Sequence, residues 1–219
     1  VQDIHGKVKI TESGRIIVDG ASGLIEGLRV NLSTDLRISK IKPTDGAPKP
    51  PETLESNRII KKALDELALW TFSAEAPPQL AFKIKGDLDS PEQLQTSFRL
   101  NAVQLKRNQY QLRKLFIAGD LQAQIITLDE ILLQDESGSA SGQADWCISR
   151  NDGRFDLNSD LHVQDFLNNC FDVKVLKDLT IIDTSPVLKI NGSFSSRKSG
   201  GFLVTANAVS YTHLRAHET

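Results

Sequence analysis

Few residues of this chain combine the types and the spacing that catalysis requires. The segment Gly138 to Gly142 (GSASG) places serines between glycines, as around some nucleophilic serines. It also reads as a strand with small side chains, and His162 is the one histidine that follows it before the last ten residues. A hydrolase needs a histidine base and an acid to orient it. We therefore expect no serine hydrolase.

Two pairs of adjacent carboxylates are the other candidates for acid–base chemistry. Asp129-Glu130 and Asp135-Glu136 both flank predicted turns that should be exposed. A solvated carboxylate without a partner keeps its ordinary pKa and is a poor general acid at neutral pH. With no phosphate-binding glycine loop and no nucleophile elbow, we expect that the protein is not an enzyme and uses no cofactor.

Histidines offer one metal-like spacing. His213 and His217 lie four residues apart, which would suit a metal ion on a helix, but no third ligand accompanies them. Residues 210–219 (SYTHLRAHET) also break the strand pattern, and we interpret them as a non-native tail translated from adapter or vector sequence. His5 and His162 stand alone. We therefore expect no metal site.

The two cysteines leave the compartment open. Cys147 and Cys170 are too few for a disulfide scaffold and have no metal-ligand spacing. They are either two free or buried thiols or, in an oxidising compartment, a disulfide pair.

Composition excludes two kinds of partner. The net charge is −2, from 26 basic and 28 acidic side chains. No electrostatic field of one sign is available to attract nucleic acid or an anionic membrane surface.

No run approaches the ~20 apolar residues that span a bilayer, so nothing in the sequence predicts a membrane anchor within this chain. The chain opens in mid-strand without Met, and we interpret residues 1–209 as a fragment of a larger protein.

Apolar and polar residues alternate along at least seven short stretches, which predicts strands with one apolar face. The alternation is clearest from Leu80 to Leu88, and it recurs around Val30, Leu100, Ala144 and Ile190. Six residues of these stretches are our candidates for an apolar functional surface: Phe82, Ile84, Phe98, Leu100, Trp146 and Ile148. In a self-packed domain the same residues would be ordinary core.

Only two segments have helical periodicity. Residues 56–70 and 163–176 repeat apolar side chains at steps of three and four, and a proline-rich loop at residues 43–53 precedes the first. One helix covers two or three strands, so two helices cannot cover ten. The fold class is thus mainly β: a long curved antiparallel sheet, or a sandwich, of short meandering strands with two short amphipathic helices.

The order of these segments resembles a known family. A proline-rich loop leads to SNRIIKKALDELALWTF, then to PPQLAFKIKGDLDSPEQLQTSFRLNAVQLKRNQYQLRKLFIAGDLQAQIITLDEILLQDESGSASGQADW, SDLHVQDFLNNCF and TSPVLKINGSF. Over most of residues 54–194 this is similar to the AsmA-like C-terminal region of large bacterial envelope proteins, which includes TamB-type proteins. The likeness lies in the order of the segments and in their pattern of apolar and polar residues, and it rests on no catalytic motif.

The resemblance implies a periplasmic protein anchored in the bacterial inner membrane outside this fragment. Its family is implicated in phospholipid transport and outer-membrane biogenesis through an apolar concave β-surface, and no site residue can be transferred from it. We therefore expect a non-enzymatic module that handles lipid or supports envelope assembly, with phospholipid as its partner. The alternative is a structural or adhesive β-protein with a self-packed core that binds a protein or glycan.

Overall fold

Eleven strands form one open sheet in the computed structural model, which describes residues 2–25, 27–38, 65, 67–90, 93–162, 187–196 and 202–211. The order of the strands in the sheet follows their order in the sequence. The strands are β1 (Gln2–Ile10), β2 (Arg15–Ile25), β3 (Leu28–Arg37), β4 (Gln79–Asp87), β5 (Gln95–Arg107), β6 (Tyr110–Gln122), β7 (Ile125–Gln134), β8 (Ser139–Cys147), β9 (Asp152–Ser159), β10 (Val187–Ser196) and β11 (Phe202–Tyr211).

The sheet confirms the mainly β prediction and corrects it in two respects. All described strands belong to one sheet, so they do not form the two layers of a sandwich. Neighbouring strands are antiparallel except β3 and β4, which are parallel. A parallel pair requires a crossover connection, and residues 38–78 supply it.

The predicted helices fall largely on parts of the chain that the structure does not describe. Residues 163–176 and the proline-rich loop at 43–53 lie outside the described residues. Within residues 56–70, Asp65, Leu67 and Ala68 are helical, and residues 56–64 and 66 lie outside the described residues.

The register of the strands places the alternating apolar residues on the same side of the sheet, because directly paired residues project to one face. We call this side the apolar face and define it by three rows of paired residues. The first row is Gly23, Val30, Leu80, Leu100, Ile117, Ile131, Gly142, Leu157 and Ile190. The second row is Ala21, Leu32, Phe82, Phe98, Gly119, Leu128, Ala144, Phe155 and Gly192. The third row is Val8, Val18, Thr34, Ile84, Thr96, Leu121, Ile126, Trp146, Gly153, Phe194 and Val204.

Local irregularities keep the apolar residues on this face where the alternation slips by one residue. The pairing of β7 shifts between Leu128 and Ile131, and the adjacent carboxylates Asp129 and Glu130 fill the gap as exposed residues. In β2 the pairing register with β3 shifts around Gly20, which has a φ of 62°, a value that glycine adopts without strain. Asp19-Gly20, a typical turn sequence, therefore forms a bulge inside one strand.

The turns between strands follow the sequence signals only in part. Ser13-Gly14, Asn108 and the segment from Asp135 to Gly138, whose residue types favour turns, do lie between strands. Ala123 and Gln124, with φ of 47° and 64°, make the tight turn between β6 and β7, although neither is a typical turn residue.

One short segment covers a buried cluster at the end of β5 and the start of β6, next to the apolar face. In the crossover, Trp70 and Phe72 pack against a buried cluster of Ala102, Leu105, Tyr110 and Leu112. The backbone of Thr71 pairs with Lys106 through two hydrogen bonds of 2.8 Å, which hold the segment against β5. Because of this cover, the exposed fraction of Leu105 is 0% and that of Leu112 is 1%.

Candidate functional site

The apolar face is half-buried over most of its length. In its first two rows every residue is half-buried except Gly119, which is buried. In the third row Val8 and Val204 are exposed, at 66% and 59%. Leu105 and Leu112, which are fully buried, lie outside these rows in the cluster that Trp70 and Phe72 cover. Among the described residues, therefore, no second layer covers the three rows.

The face is large enough for acyl chains. Eleven strands at spacings of about 4.8 Å give a width of ~48 Å, and strands of nine or ten residues are ~30 Å long. One leaflet of a bilayer core is ~15 Å thick, half of the full hydrocarbon thickness. Extended acyl chains would therefore fit within the face in any direction.

Four of the six predicted surface residues lie together. Phe82 and Phe98 are direct cross-strand partners in β4 and β5, and Leu100 and Ile84 flank them on the same face. Gly119, the partner of Phe98 in β6, places no side chain beside the two rings. These four residues, which were predicted from the alternation alone, thus form a continuous apolar patch near the centre of the sheet.

Trp146 lies on the same face, three strands away from Phe98. It lines a depression of about 400 Å³ whose other walls are Phe155, Phe194 and Val204. Gly153 permits this arrangement, because a Cβ atom there would lie 2.5 Å from the ring of Phe194. The alternation of β9 and β10 could have identified Phe155 and Phe194, which were not among the predicted surface residues.

Ile148 lies outside the strand to which the alternation assigned it. Strand β8 ends at Cys147, and Ile148 lies in the turn before β9, where its N–H donates to the carbonyl oxygen of Gln124 at 2.8 Å. The turn before β9 also ends ahead of Asp152-Gly153, a typical turn sequence, since both residues already belong to β9. Trp146 is tied to this turn by its indole N–H, which donates to Asn151 Oδ1 at 3.3 Å.

Asp135 is not the solvated carboxylate that the sequence predicts. It is buried, and its Oδ2 accepts a hydrogen bond of 2.7 Å from the hydroxyl of Tyr110. Its Oδ1 accepts from the N–H of Ser137 at 2.6 Å, from the Ser137 hydroxyl at 2.7 Å and from the N–H of Gly138 at 3.0 Å. Burial opposes ionisation, but these bonds together outweigh it and hold the pKa of Asp135 below its ordinary value. Asp135 therefore joins two turns and has a structural role.

The opposite face of the sheet is polar. On this face the guanidinium of Arg15 donates two hydrogen bonds to the carboxylate of Asp35, at 3.0 and 2.6 Å. These bonds are the main reason that the pKa of Asp35 is lowered. Cys147 is buried on this face, and its contact with the Ser149 hydroxyl at 3.4 Å lowers its thiol pKa. Cys170, its partner in the disulfide alternative, lies outside the described residues.

The remaining candidates for chemistry are dispersed. Ser139 opens β8, and its N–H donates to Asp160 Oδ1 at 2.5 Å, so the glycine-flanked serines belong to a strand as expected. His5 lies on β1 opposite Ser22, and the backbone N–H of His162 donates to Ser137 Oγ at 2.9 Å. Within the described ranges no three His, Cys, Asp or Glu residues are grouped to hold a metal ion. His213 and His217 lie outside those ranges.

In the part of the chain that the structure describes, no helix combines the length and the apolar character that crossing a bilayer requires.

Comparison with known proteins gave no match. No protein-family model, no curated protein and no solved structure is significantly similar to this chain.

Proposed function

We propose that this chain is a non-enzymatic module that binds lipid on the apolar face, as part of lipid transport or envelope assembly. The observation that carries the proposal is the difference in burial between the two parts of the face. Ala102, which continues the alternation of Phe98 and Leu100 in β5, is 3% exposed in the cluster that the crossover segment covers, whereas the rows through Phe98 and Leu100 are half-buried. A contiguous apolar surface of this kind marks an interaction site in a soluble protein.

Lipid fits the chemistry of the face better than a shaped ligand does. The rows consist of aliphatic and aromatic side chains interrupted by glycines and by Thr34 and Thr96. Such a surface offers area without the convergent polar groups that orient a small molecule. Each buried methylene of an acyl chain contributes ~0.8 kcal/mol, so a flexible chain gains affinity along its length.

The setting of this function is part of the same proposal. In keeping with the resemblance to AsmA-like regions, we place the chain in the bacterial periplasm, with an inner-membrane anchor elsewhere in the polypeptide. We further propose that the sheet is curved with the apolar face on its concave side, and that residues 56–70 and 163–176 form short amphipathic helices. The supporting observations are the one-sided strands and the sequence periodicity of those two segments.

Native mass spectrometry of the purified 219-residue chain tests the proposal. We expect phospholipid to remain bound to the wild-type protein and to be lost from Phe98→Asp, since the new carboxylate would lie at the centre of the apolar patch. Ser97→Asp is the matched control, because it adds the same charge to the next residue of β5 on the polar face. Circular dichroism of both variants should match that of the wild type.

Two results would contradict lipid binding. One is a folded wild-type protein that carries no lipid even after incubation with phospholipid vesicles. The other is unfolding of Phe98→Asp while Ser97→Asp stays folded, which would assign Phe98 to a closed core. Either result would favour the structural or adhesive β-protein that binds a protein or glycan partner.

A further inference from the structure

The β5–β6 hairpin extends beyond both of its neighbouring strands. Strand β4 pairs with β5 only as far as Asn101, and β7 pairs with β6 only as far as Lys114. Beyond these pairs the hairpin continues for ~20 Å along β5, at ~3.4 Å per residue, to its turn at Asn108. We call residues 102–114 the hairpin end. Strands continue the sheet on both sides of its base, so this feature does not depend on either edge of the sheet.

The hairpin end is basic. It contains no Asp or Glu, and it carries four cations: Lys106, Arg107, Arg113 and Lys114. Lys106, Arg113 and Lys114 are exposed, and within the described part of the chain neither lysine forms an ion pair. The β7–β8 turn contributes two carboxylates, of which Asp135 is bound to Tyr110 and Glu136 lies 3.3 Å from Arg113. The two lysines are therefore available to an anionic partner.

The charge of the hairpin end acts locally, although the whole chain has a net charge of −2. At an ionic strength of about 0.1 M, interactions between exposed charges are largely screened beyond ~10 Å. A surface that contacts the hairpin end therefore interacts with its four cations and only weakly with the acidic residues elsewhere on the sheet. Net charge alone does not describe how this part of the molecule meets an anionic surface.

We propose, on the basis of the proposed lipid-binding function, that the hairpin end binds the surface of a bilayer that contains anionic phospholipid. Each Lys or Arg near such a surface strengthens binding about fivefold. Leu69, which is 52% exposed, lies two residues before Thr71, the residue that pairs with Lys106. The combination of cations with an exposed apolar side chain is typical of proteins that bind at the bilayer interface.

The hairpin end is continuous with the apolar face. Ala102 pairs with Leu115, and this is the next pair on the same face after Leu100 and Ile117 of the first row. Contact between the hairpin end and a bilayer therefore brings the apolar face next to a source of lipid. A soluble anionic partner would gain nothing from this continuity, so a bilayer surface fits the hairpin end better.

Cosedimentation with sucrose-loaded vesicles measures the binding of the 219-residue chain. One set of vesicles is phosphatidylcholine alone, and the other contains about 30 mol% phosphatidylglycerol, which supplies a negative surface potential. Lys106→Gln with Lys114→Gln removes two charges from the hairpin end. Lys83→Gln with Lys85→Gln is the matched control, because it removes two charges from exposed residues of β4 on the polar face. Circular dichroism of both variants should match that of the wild type.

We expect the wild type to bind the phosphatidylglycerol vesicles at least about tenfold more tightly than the phosphatidylcholine vesicles. The hairpin variant should bind the phosphatidylglycerol vesicles at least about tenfold more weakly than the wild type, and the control less than about twofold more weakly. Equal binding of the wild type to both kinds of vesicle would overturn the proposal. So would equal losses in the two variants, which would assign the attraction to overall charge.

Native mass spectrometry separates this proposal from the proposed function. The hairpin variant should still retain phospholipid, because its apolar face is unchanged. A wild type that retains phospholipid but does not prefer phosphatidylglycerol vesicles would overturn the role of the hairpin end alone. A folded wild type without phospholipid would contradict the lipid-binding function on which that role rests.

Discussion

Replacing Tyr110 by Phe should lower the free energy of unfolding by about 1.5–3 kcal/mol at pH 7, the range for a hydrogen bond to a charged group. The hydroxyl of Tyr110 lies 2.7 Å from Asp135 Oδ2, and both residues are buried, at 6% and 7% exposed. Water therefore cannot replace the missing donor easily. For a chain of this size a loss of ~2 kcal/mol lowers the melting temperature by about 4–8 °C.

The effect of this substitution should depend on pH. The pKa of Asp135 is lowered in the folded protein, so its ionised form stabilises the fold above the unfolded-state pKa of about 3.9. This contribution is lost as the pH falls through the lower, folded-state pKa. The Tyr110 bond supports the ionised form, and the difference between wild type and Tyr110→Phe should therefore shrink in acid.

Urea unfolding followed by tryptophan fluorescence measures both quantities, because Trp70 packs against the cluster that contains Tyr110. Ser141→Ala, which removes an exposed hydroxyl from the polar face, is the control and should change stability by less than about 0.5 kcal/mol. A Tyr110→Phe protein that is as stable as this control at pH 7, or a difference that grows in acid, would refute the role assigned to the buried carboxylate.

Two further substitutions test the packing of the buried cluster and of the apolar face. Leu105→Ala should lower the free energy of unfolding by about 2–5 kcal/mol, because Leu105 is 0% exposed beneath Trp70 and Phe72. Ile125→Ala, at a 44% exposed position, is the control and should cost far less. Equal losses of stability in urea unfolding would contradict the buried cluster. Gly153→Ala should lower the free energy of unfolding by about 1–3 kcal/mol, because the added Cβ would meet the carbonyl oxygen of Asp145 and the ring of Phe194. Unchanged thermal stability would contradict the close approach of Phe194 to Gly153 at the Trp146 depression.

Alternation in the sequence predicted the strands and the identity of their apolar face, because a period of two is a local property of a strand. It also placed Phe82, Ile84, Phe98 and Leu100 on one face, where the structure has them. It could not predict that β3 and β4 are parallel, since the same alternation suits either direction and the crossover decides.

The features that the sequence did not reveal depend on contacts between distant residues or on unusual turn residues. Asp135 is buried because the hydroxyl of Tyr110, 25 residues earlier, reaches it from the β5–β6 hairpin. The turn at Ala123 and Gln124 has positive φ without glycine or asparagine, so the end of β6 and the start of β7 read as one run. Ile148 continues the apolar–polar alternation of β8 in the sequence and was therefore assigned to that strand, but the strand ends one residue earlier, at Cys147.

Fluorescence of Trp146 in the presence of phospholipids with brominated acyl chains is the most direct test of the lipid-binding face. In a Trp70→Phe protein Trp146 is the sole tryptophan, since the chain has two. Bromine on an acyl chain quenches a tryptophan that it contacts, so brominated vesicles should quench Trp146 and unbrominated vesicles should not. Unquenched emission from protein that has bound the brominated lipid, or no binding by the folded protein, would contradict the assignment of the apolar face to lipid.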